Sequence, residues 1–255
     1  MDIFKTLNQL GDLARATAMR YFRSPLAIEH KSAEQPVTIA DRTIEQQMRC
    51  YLEKHYPEDG ILGEEYGEKQ GQGQRCWVLD PIDGTKAFIS ALPTFVSLVA
   101  LYDLELGVIA AMIEVPAMGE RFLAARGKGA FWDAKPIHVA KRKALGGSVM
   151  SSTSIDMFQG NLVAPYGRLS QQVAGRRFGG DGYAMGLMAA GFFDFIVEAD
   201  LQPYDYLAPA LIIREAGGFV SDWQGKPLCL REGNGTFLAS ASSEQHKAAL
   251  ALLAG

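Results

Sequence analysis

Ile3, Phe4, Leu7, Leu10, Ala14, Ala18, Tyr21 and Phe22 recur every three or four residues, with Lys5, Asp12 and Arg15 between them. That period predicts an amphipathic helix whose apolar stripe serves packing. A second helical pattern begins in P-V-T-I-A-D-R-T-I-E and carries Ile44, Met48, Tyr51 and Leu52 on its apolar side. Thr38-x-x-Asp41 at its start has the form of a capping box with Asp in place of the usual Glu. From Cys76 the pattern changes to short apolar runs bounded by turns. C-W-V-L reads as a buried strand, and F-V-S-L-V-A-L-Y, G-V-I-A-A-M-I-E-V, E-R-F-L-A-A and G-A-F-W predict an antiparallel meander.

After K-P-I-H-V-A the chain reaches K-R-K-A-L-G-G-S, a run of charges and glycines that marks the expected division into lobes 1–143 and 144–255. The second half alternates strand and helix signals. G-S-V-M-S-S-T reads as a strand, Leu169 to Ala174 as part of a helix, and Tyr183 to Ala190 as a small-residue helix opened by Asp181. F-F-D-F-I-V-E is a strand and Tyr206 to Ala216 a helix stopped by Gly217-Gly218. F-V-S-D-W and T-F-L-A-S-A are strands, and Glu244 to Leu253 a terminal helix. The fold class is therefore α/β: an α+β N-terminal lobe with an antiparallel sheet, followed by a layered α/β C-terminal lobe.

Composition narrows the function. With 48% apolar residues the chain can bury a full core, and a net charge of −4 with no basic cluster longer than K-R-K speaks against a nucleic-acid surface. No run approaches about eighteen apolar residues, and M-D-I-F-K lacks the apolar core of a signal peptide, so no membrane partner and a cytoplasmic location are expected. Cys50, Cys76 and Cys229 are widely spaced and read as reduced thiols. His30, His55, His138 and His246 have no ligand spacing, and phosphate-loop, dinucleotide, serine-hydrolase and zinc-protease motifs are missing. The chemistry is left to carboxylates, a threonine and metal.

The acids concentrate at C-W-V-L-D-P-I-D-G-T-K-A-F. Pro81 fixes φ and removes a donor, so a turn is expected after Leu79, aiming Asp80, Asp83 and the Ile82 carbonyl at one point. Such a donor set suits Mg²⁺, although a plain Asp-Pro turn with Asp83 as a helix cap is the competing reading. The amides of Gly84 and Thr85, at the start of the short helix K-A-F-I-S-A, form a candidate phosphate cradle. Glu64 and Glu65 lie at a second acidic strand end, and Asp205 lies at the start of the 206–216 helix, where an N-cap role is the alternative.

These three blocks, I-L-G-E-E-Y-G, D-P-I-D-G-T and P-Y-D-Y-L-A-P-A-L-I-I-R-E-A-G-G, resemble the inositol monophosphatase superfamily of Mg²⁺-dependent, lithium-sensitive phosphatases along nearly the whole chain. The resemblance implies a sandwich like those of inositol monophosphatase and fructose-1,6-bisphosphatase. It also implies that Glu64, Asp80, the Ile82 carbonyl, Asp83 and Asp205 hold on the order of two or three Mg²⁺ ions. Asp41 matches a family aspartate that hydrogen-bonds the threonine of D-G-T. Asp41 and Thr85 would then orient the attacking water, with Glu64 completing the catalytic set. Lys31 matches a common family lysine without a firm role. A homodimer is the expected assembly.

The segments R-R-F-G-G-D-G-Y-A and E-A-D-L-Q-P-Y-D look like the histidinol-phosphate phosphatase branch, where inositol enzymes usually show G-S-A and W-D. Histidinol phosphate carries an ammonium and an imidazole, which suits extra acids. Asp181 and Glu198, the latter matching a family position that contacts the non-phosphate part of the substrate, are the candidate substrate residues. Asp181 as helix cap and Glu198 as polar strand end are the structural alternatives. The expected substrate is thus a small phosphate monoester, histidinol phosphate first and inositol 1-phosphate or another small polyol or nucleotide phosphate second. A regulatory binder without turnover remains the alternative of a different class.

Overall fold

Helix α1, Ile3–Tyr21, starts where the Asp2 carboxylate accepts the Lys5 N–H at 3.2 Å and buries Leu7, Leu10, Ala14 and Ala18 completely. Helix α2, Ile39–His55, starts at the expected capping box: Asp41 Oδ2 accepts the Thr38 N–H at 2.9 Å while Thr38 Oγ1 accepts the Ala40 N–H at 3.1 Å. The computed structural model describes residues 2–24, 28–32, 35–141 and 144–254. Arg142 and Lys143, at the expected lobe division, and the Lys31 side chain lie outside the described residues.

The N-terminal strands are β1 (Ile28–Ser32), β2 (Gln35–Thr38), β3 (Gly60–Gly63), β4 (Gly67–Lys69) and β5 (Arg75–Asp83). Short helix α3 covers Thr85–Ile89 and leads to β6 (Val96–Asp103), β7 (Gly107–Val115), β8 (Glu120–Ala125), β9 (Ala130–Trp132) and β10 (Lys135–Ile137). The strands from β3 onward form one eight-stranded sheet in the order β10-β9-β8-β7-β6-β5-β3-β4, so the meander is in place. The remaining elements are β11 (Val149–Ser152), α4 (Val163–Ser170), β12 (Gly175–Phe178), α5 (Asp181–Ala189), β13 (Phe195–Glu198), α6 (Pro203–Glu215), β14 (Phe219–Ser221), β15 (Phe237–Ser240) and α7 (Ser243–Ala254). Their five strands pair in the order β12-β11-β13-β15-β14, parallel around β11 and antiparallel around β15.

Strand alternation then builds five layers. Trp77, Leu79, Val99, Leu101 and Met112 face α1 and α2, whereas Cys76, Val78, Leu98, Ala100 and Ile113 face α5 and α6. Ile196, Phe237 and Ala239 of the second sheet close over α5 and α6 from the other side. Helices α4 and α7 cover the far face through Leu169, Ala249 and Leu253.

Three expectations are corrected. Strand β5 does not end at Leu79: Asp80 pairs with Leu98 and Asp83 with Val96, three steps on one strand against two on its neighbour. The extra residue is a bulge that accommodates Pro81, whose carbonyl accepts the Ser97 hydroxyl at 2.5 Å. Helix α4 lies earlier than Leu169–Ala174, because Gly175 already begins β12 beside β11. Asp205 is not the N-cap of α6. Pro203, with its preset φ and missing donor, takes the first helical position, Gln202 becomes the cap and Asp205 falls in the third position.

Candidate metal and phosphate site

In a regular strand Asp80 and Asp83 would point to opposite faces. The bulge removes that mismatch. Carboxylate oxygens of Asp80, Asp83 and Asp205 lie within 4.8 Å of one another. Asp205 reaches the cluster from the first turn of α6, where its Oδ2 also accepts the Gln202 N–H at 2.7 Å. Glu64 follows β3, which runs parallel to β5, and its N–H donates to the Leu79 carbonyl at 3.2 Å. Four acids from three elements therefore converge on one end of the sheet, a convergence that local helix capping does not account for.

The electrostatics are those of clustered carboxylates that repel one another. The Asp80 carboxyl is pushed well above the usual range by burial, then by the charges of Glu64, Asp83, Asp205 and Asp41. Burial also raises Asp83, followed by Asp181 and Asp205, against the opposing Gly182 N–H. Asp205 is pushed up to about 7, by burial first and then by Glu64, with the Gln202 N–H opposing. Asp80 is 1% exposed, and among the described residues its Oδ1 has no hydrogen-bond partner. An orphaned buried carboxylate oxygen within a cluster of acids fits a hard divalent ion with oxygen ligands.

Beside the cluster, Gly84 adopts a left-handed conformation at φ 80° and caps α3. The Thr85 hydroxyl donates to the Ile82 carbonyl at 3.0 Å, leaving that carbonyl its second lone pair. Asp41 accepts from the Thr38 N–H and from the Thr38 hydroxyl, the latter at 2.5 Å, and its charge acts on Asp80.

Asp181 stands over the turn: a Cβ on Gly84 would lie 2.9 Å from Asp181 Oδ2. Gly180 is the helix cap, and Asp181 itself occupies a left-handed position at φ 44°. Burial pushes its carboxyl up to about 6, with Lys86 opposing. Glu198, at the end of β13, is fixed by the Thr153 N–H at 2.9 and 3.1 Å. Burial pushes it up to about 8, against the Thr153 bond and with Asp181 and Asp205 adding to the rise.

The sequence model of the inositol monophosphatase family matches residues 2–254. This chain belongs to that family. It is a phosphatase, a phosphoric monoester hydrolase. It is 35% identical to the bifunctional phosphatase IMPL2, chloroplastic, of Arabidopsis thaliana over 86% of its own length and 64% of that protein. It is 32% identical to a histidinol-phosphatase of Chlorobaculum parvum, covering 86% of this chain and 85% of that one. An inositol-1-monophosphatase of Rhizobium meliloti is 37% identical over 80% of this chain and 79% of its own. The solved structure of an inositol monophosphatase from Zymomonas mobilis superposes with a TM-score of 0.90 at 33% identity, covering 100% of this chain and 98% of that one.

Within this family fold, two participants escape the sequence reading. Lys86, directly after D-G-T, is the cation beside Asp181, and its place in the motif was the available signal. Glu45 supports the Glu64 turn from α2 and left no motif. No helix among the described residues is long and apolar enough to cross a membrane.

Proposed function

We propose that the protein hydrolyses a small phosphate monoester with Mg²⁺, histidinol phosphate being the preferred substrate. The observation that carries the reading is the meeting of Asp80, Asp83 and Asp205 within 4.8 Å, with Asp181 and Glu198 adding their charges to the same region. Glu64, Asp80, Asp83, Asp205 and the Ile82 carbonyl would hold on the order of two or three ions. Held there, Mg²⁺ would supply positive charge to offset the phosphate and would make water more acidic.

The chain's own groups then have distinct tasks. Gly84 and Thr85 offer backbone N–H groups to the phosphate oxygens. Thr85 Oγ1 orients the attacking water, and Asp41 takes up its proton. The water oxygen forms the new bond to phosphorus in line with the ester oxygen, which leaves with its bonding pair and takes a proton from solvent water to become the alcohol, while Asp41 returns its proton to solvent. No phosphoenzyme is formed.

Histidinol phosphate is favoured by half-buried Asp181 and buried Glu198, two acids suited to the ammonium and imidazole. Inositol 1-phosphate is the second reading, supported by the 37% identity to the Rhizobium meliloti enzyme. Phosphate release from both esters, fructose 1,6-bisphosphate and adenosine 3′,5′-bisphosphate at one Mg²⁺ concentration tests the order. Histidinol phosphate is expected to give the highest kcat/KM, and a higher value for inositol 1-phosphate overturns the preference. Lithium inhibition, a cytoplasmic location and a homodimer belong to the same proposal. The open edge of β12, with Phe178 50% exposed, supports the dimer, which size-exclusion chromatography tests.

A further inference from the structure

Arg42, Glu45 and Arg49 recur along α2 at helical spacing, and all three reach toward the turn between β3 and β4. Glu45 is fully buried. Its Oε2 accepts the Glu65 N–H at 2.7 Å and its Oε1 the Tyr66 N–H at 3.2 Å. Arg49 Nε donates to the same Oε1 at 2.7 Å, and Arg49 Nη2 donates to the Gly67 carbonyl. Three successive residues of one turn are thus fastened to one helix.

The fit leaves no spare room. A Cβ on Gly63 would lie 2.0 Å from Glu45 Oε1, so only a residue without a side chain lets the carboxylate reach the amides. A charge removed from water persists where it is both paired and hydrogen-bonded, and Glu45 meets both conditions. Glu64 lies between Gly63 and Glu65, held on its other side by the Leu79 carbonyl. Its charge presses on both Asp80 and Asp205, and its path to them is set by the turn.

We propose that Glu45, braced by Arg49, is a positioning residue that holds Glu64 at the metal centre and thereby sets metal affinity. The proposal rests on reading Glu64 as a metal ligand. Groups behind a ligand that fix its orientation typically change metal affinity by about ten- to a hundredfold when removed. A purely structural clasp would lower the melting temperature and leave metal affinity alone.

The test compares Glu45→Gln, Arg49→Lys and Asp80→Asn with the unaltered full chain. Readouts are Mn²⁺ binding by titration calorimetry, melting temperature, half-saturating Mg²⁺ and KM at saturating Mg²⁺, with p-nitrophenyl phosphate as reporter. Glu45→Gln is expected to weaken Mn²⁺ binding by about ten- to a hundredfold and raise half-saturating Mg²⁺ in step, while KM at saturating Mg²⁺ stays within about twofold. Arg49→Lys should move the same quantities less, and it decides alone if Glu45→Gln does not fold. Normal Mn²⁺ affinity in these variants, with binding lost in Asp80→Asn, overturns the role of Glu45 and leaves the metal centre standing. Normal affinity in Asp80→Asn overturns the metal centre itself, and the role of Glu45 with it.

Discussion

Asp83 Oδ2 accepts the backbone N–H of Gly182 at 2.5 Å, across 99 residues of sequence. The contact joins a candidate ligand on β5 to the first turn of α5. A Cβ at Gly182 would lie 2.7 Å from Asp83 Oδ2 and 2.8 Å from Val96 Cγ2. Gly182→Ala is therefore expected to lower stability by about 1–3 kcal/mol and raise the Mg²⁺ requirement together. Urea unfolding and an Mg²⁺ titration check this, and an unchanged Mg²⁺ requirement in a destabilised variant would separate the contact from the metal centre.

Asp80→Asn and Asp83→Asn keep side-chain size and remove charge. Turnover should fall by at least about a hundredfold at saturating Mg²⁺, because an amide is a poor substitute for a carboxylate at a hard cation. Without metal, Asp80→Asn should melt no lower than the unaltered chain, since it relieves repulsion between buried Asp80 and the acids clustered around it. Calorimetry on chelated samples checks the second half.

Asp205, pushed up to about 7, and Glu198, pushed up to about 8, make stability depend on pH. Between their unfolded values near 4 and these folded values, the folded chain binds more protons than the unfolded one. Their stabilising contribution is present in full below the unfolded values and is lost as pH rises through the folded ones. His246 has the opposite slope. Burial pushes it down to about 4 from 6.5, and it is held between Ser221 and Ser240, so its contribution is lost as pH falls from 6.5 toward 4. Above pH 6.5 only the acids act. The metal-free melting temperature should therefore fall from about pH 6.5 to 8.5, and the gain from added Mg²⁺ should grow over that range. A metal-free protein that grows more stable on this interval would contradict the cation-site electrostatics.

The water-orienting pair makes a kinetic prediction. Thr85→Ala and Asp41→Asn should each lower kcat much more than they raise KM, and the double variant should lose little beyond either single one. Multiplying losses would return Asp41 to a capping role at Thr38.

What the sequence made legible was local. Asp80, Asp83, Gly84 and Thr85 are nearly contiguous, and the capping box at Thr38 and Asp41 needs four residues to be seen. The bulge escaped because Pro81 reads as a strand terminator, whereas the neighbouring strand supplies Ser97 for its carbonyl and the ladder resumes at Asp83. Helix α4 was misplaced because V-A-P-Y-G contains two helix breakers. Pro165 falls in the first turn, where its missing donor has no intrahelical partner to lose. Glu45 carries no motif in the sequence, and its burial follows only once Gly63 is packed against it.

The most direct measurement is phosphate release from histidinol phosphate as a function of Mg²⁺, starting from protein freed of metal by chelation. The expected result is no turnover above background without metal and saturable recovery as Mg²⁺ is restored. Full turnover after exhaustive chelation would contradict the assignment of Asp80, Asp83 and Asp205 as the metal centre of this phosphatase.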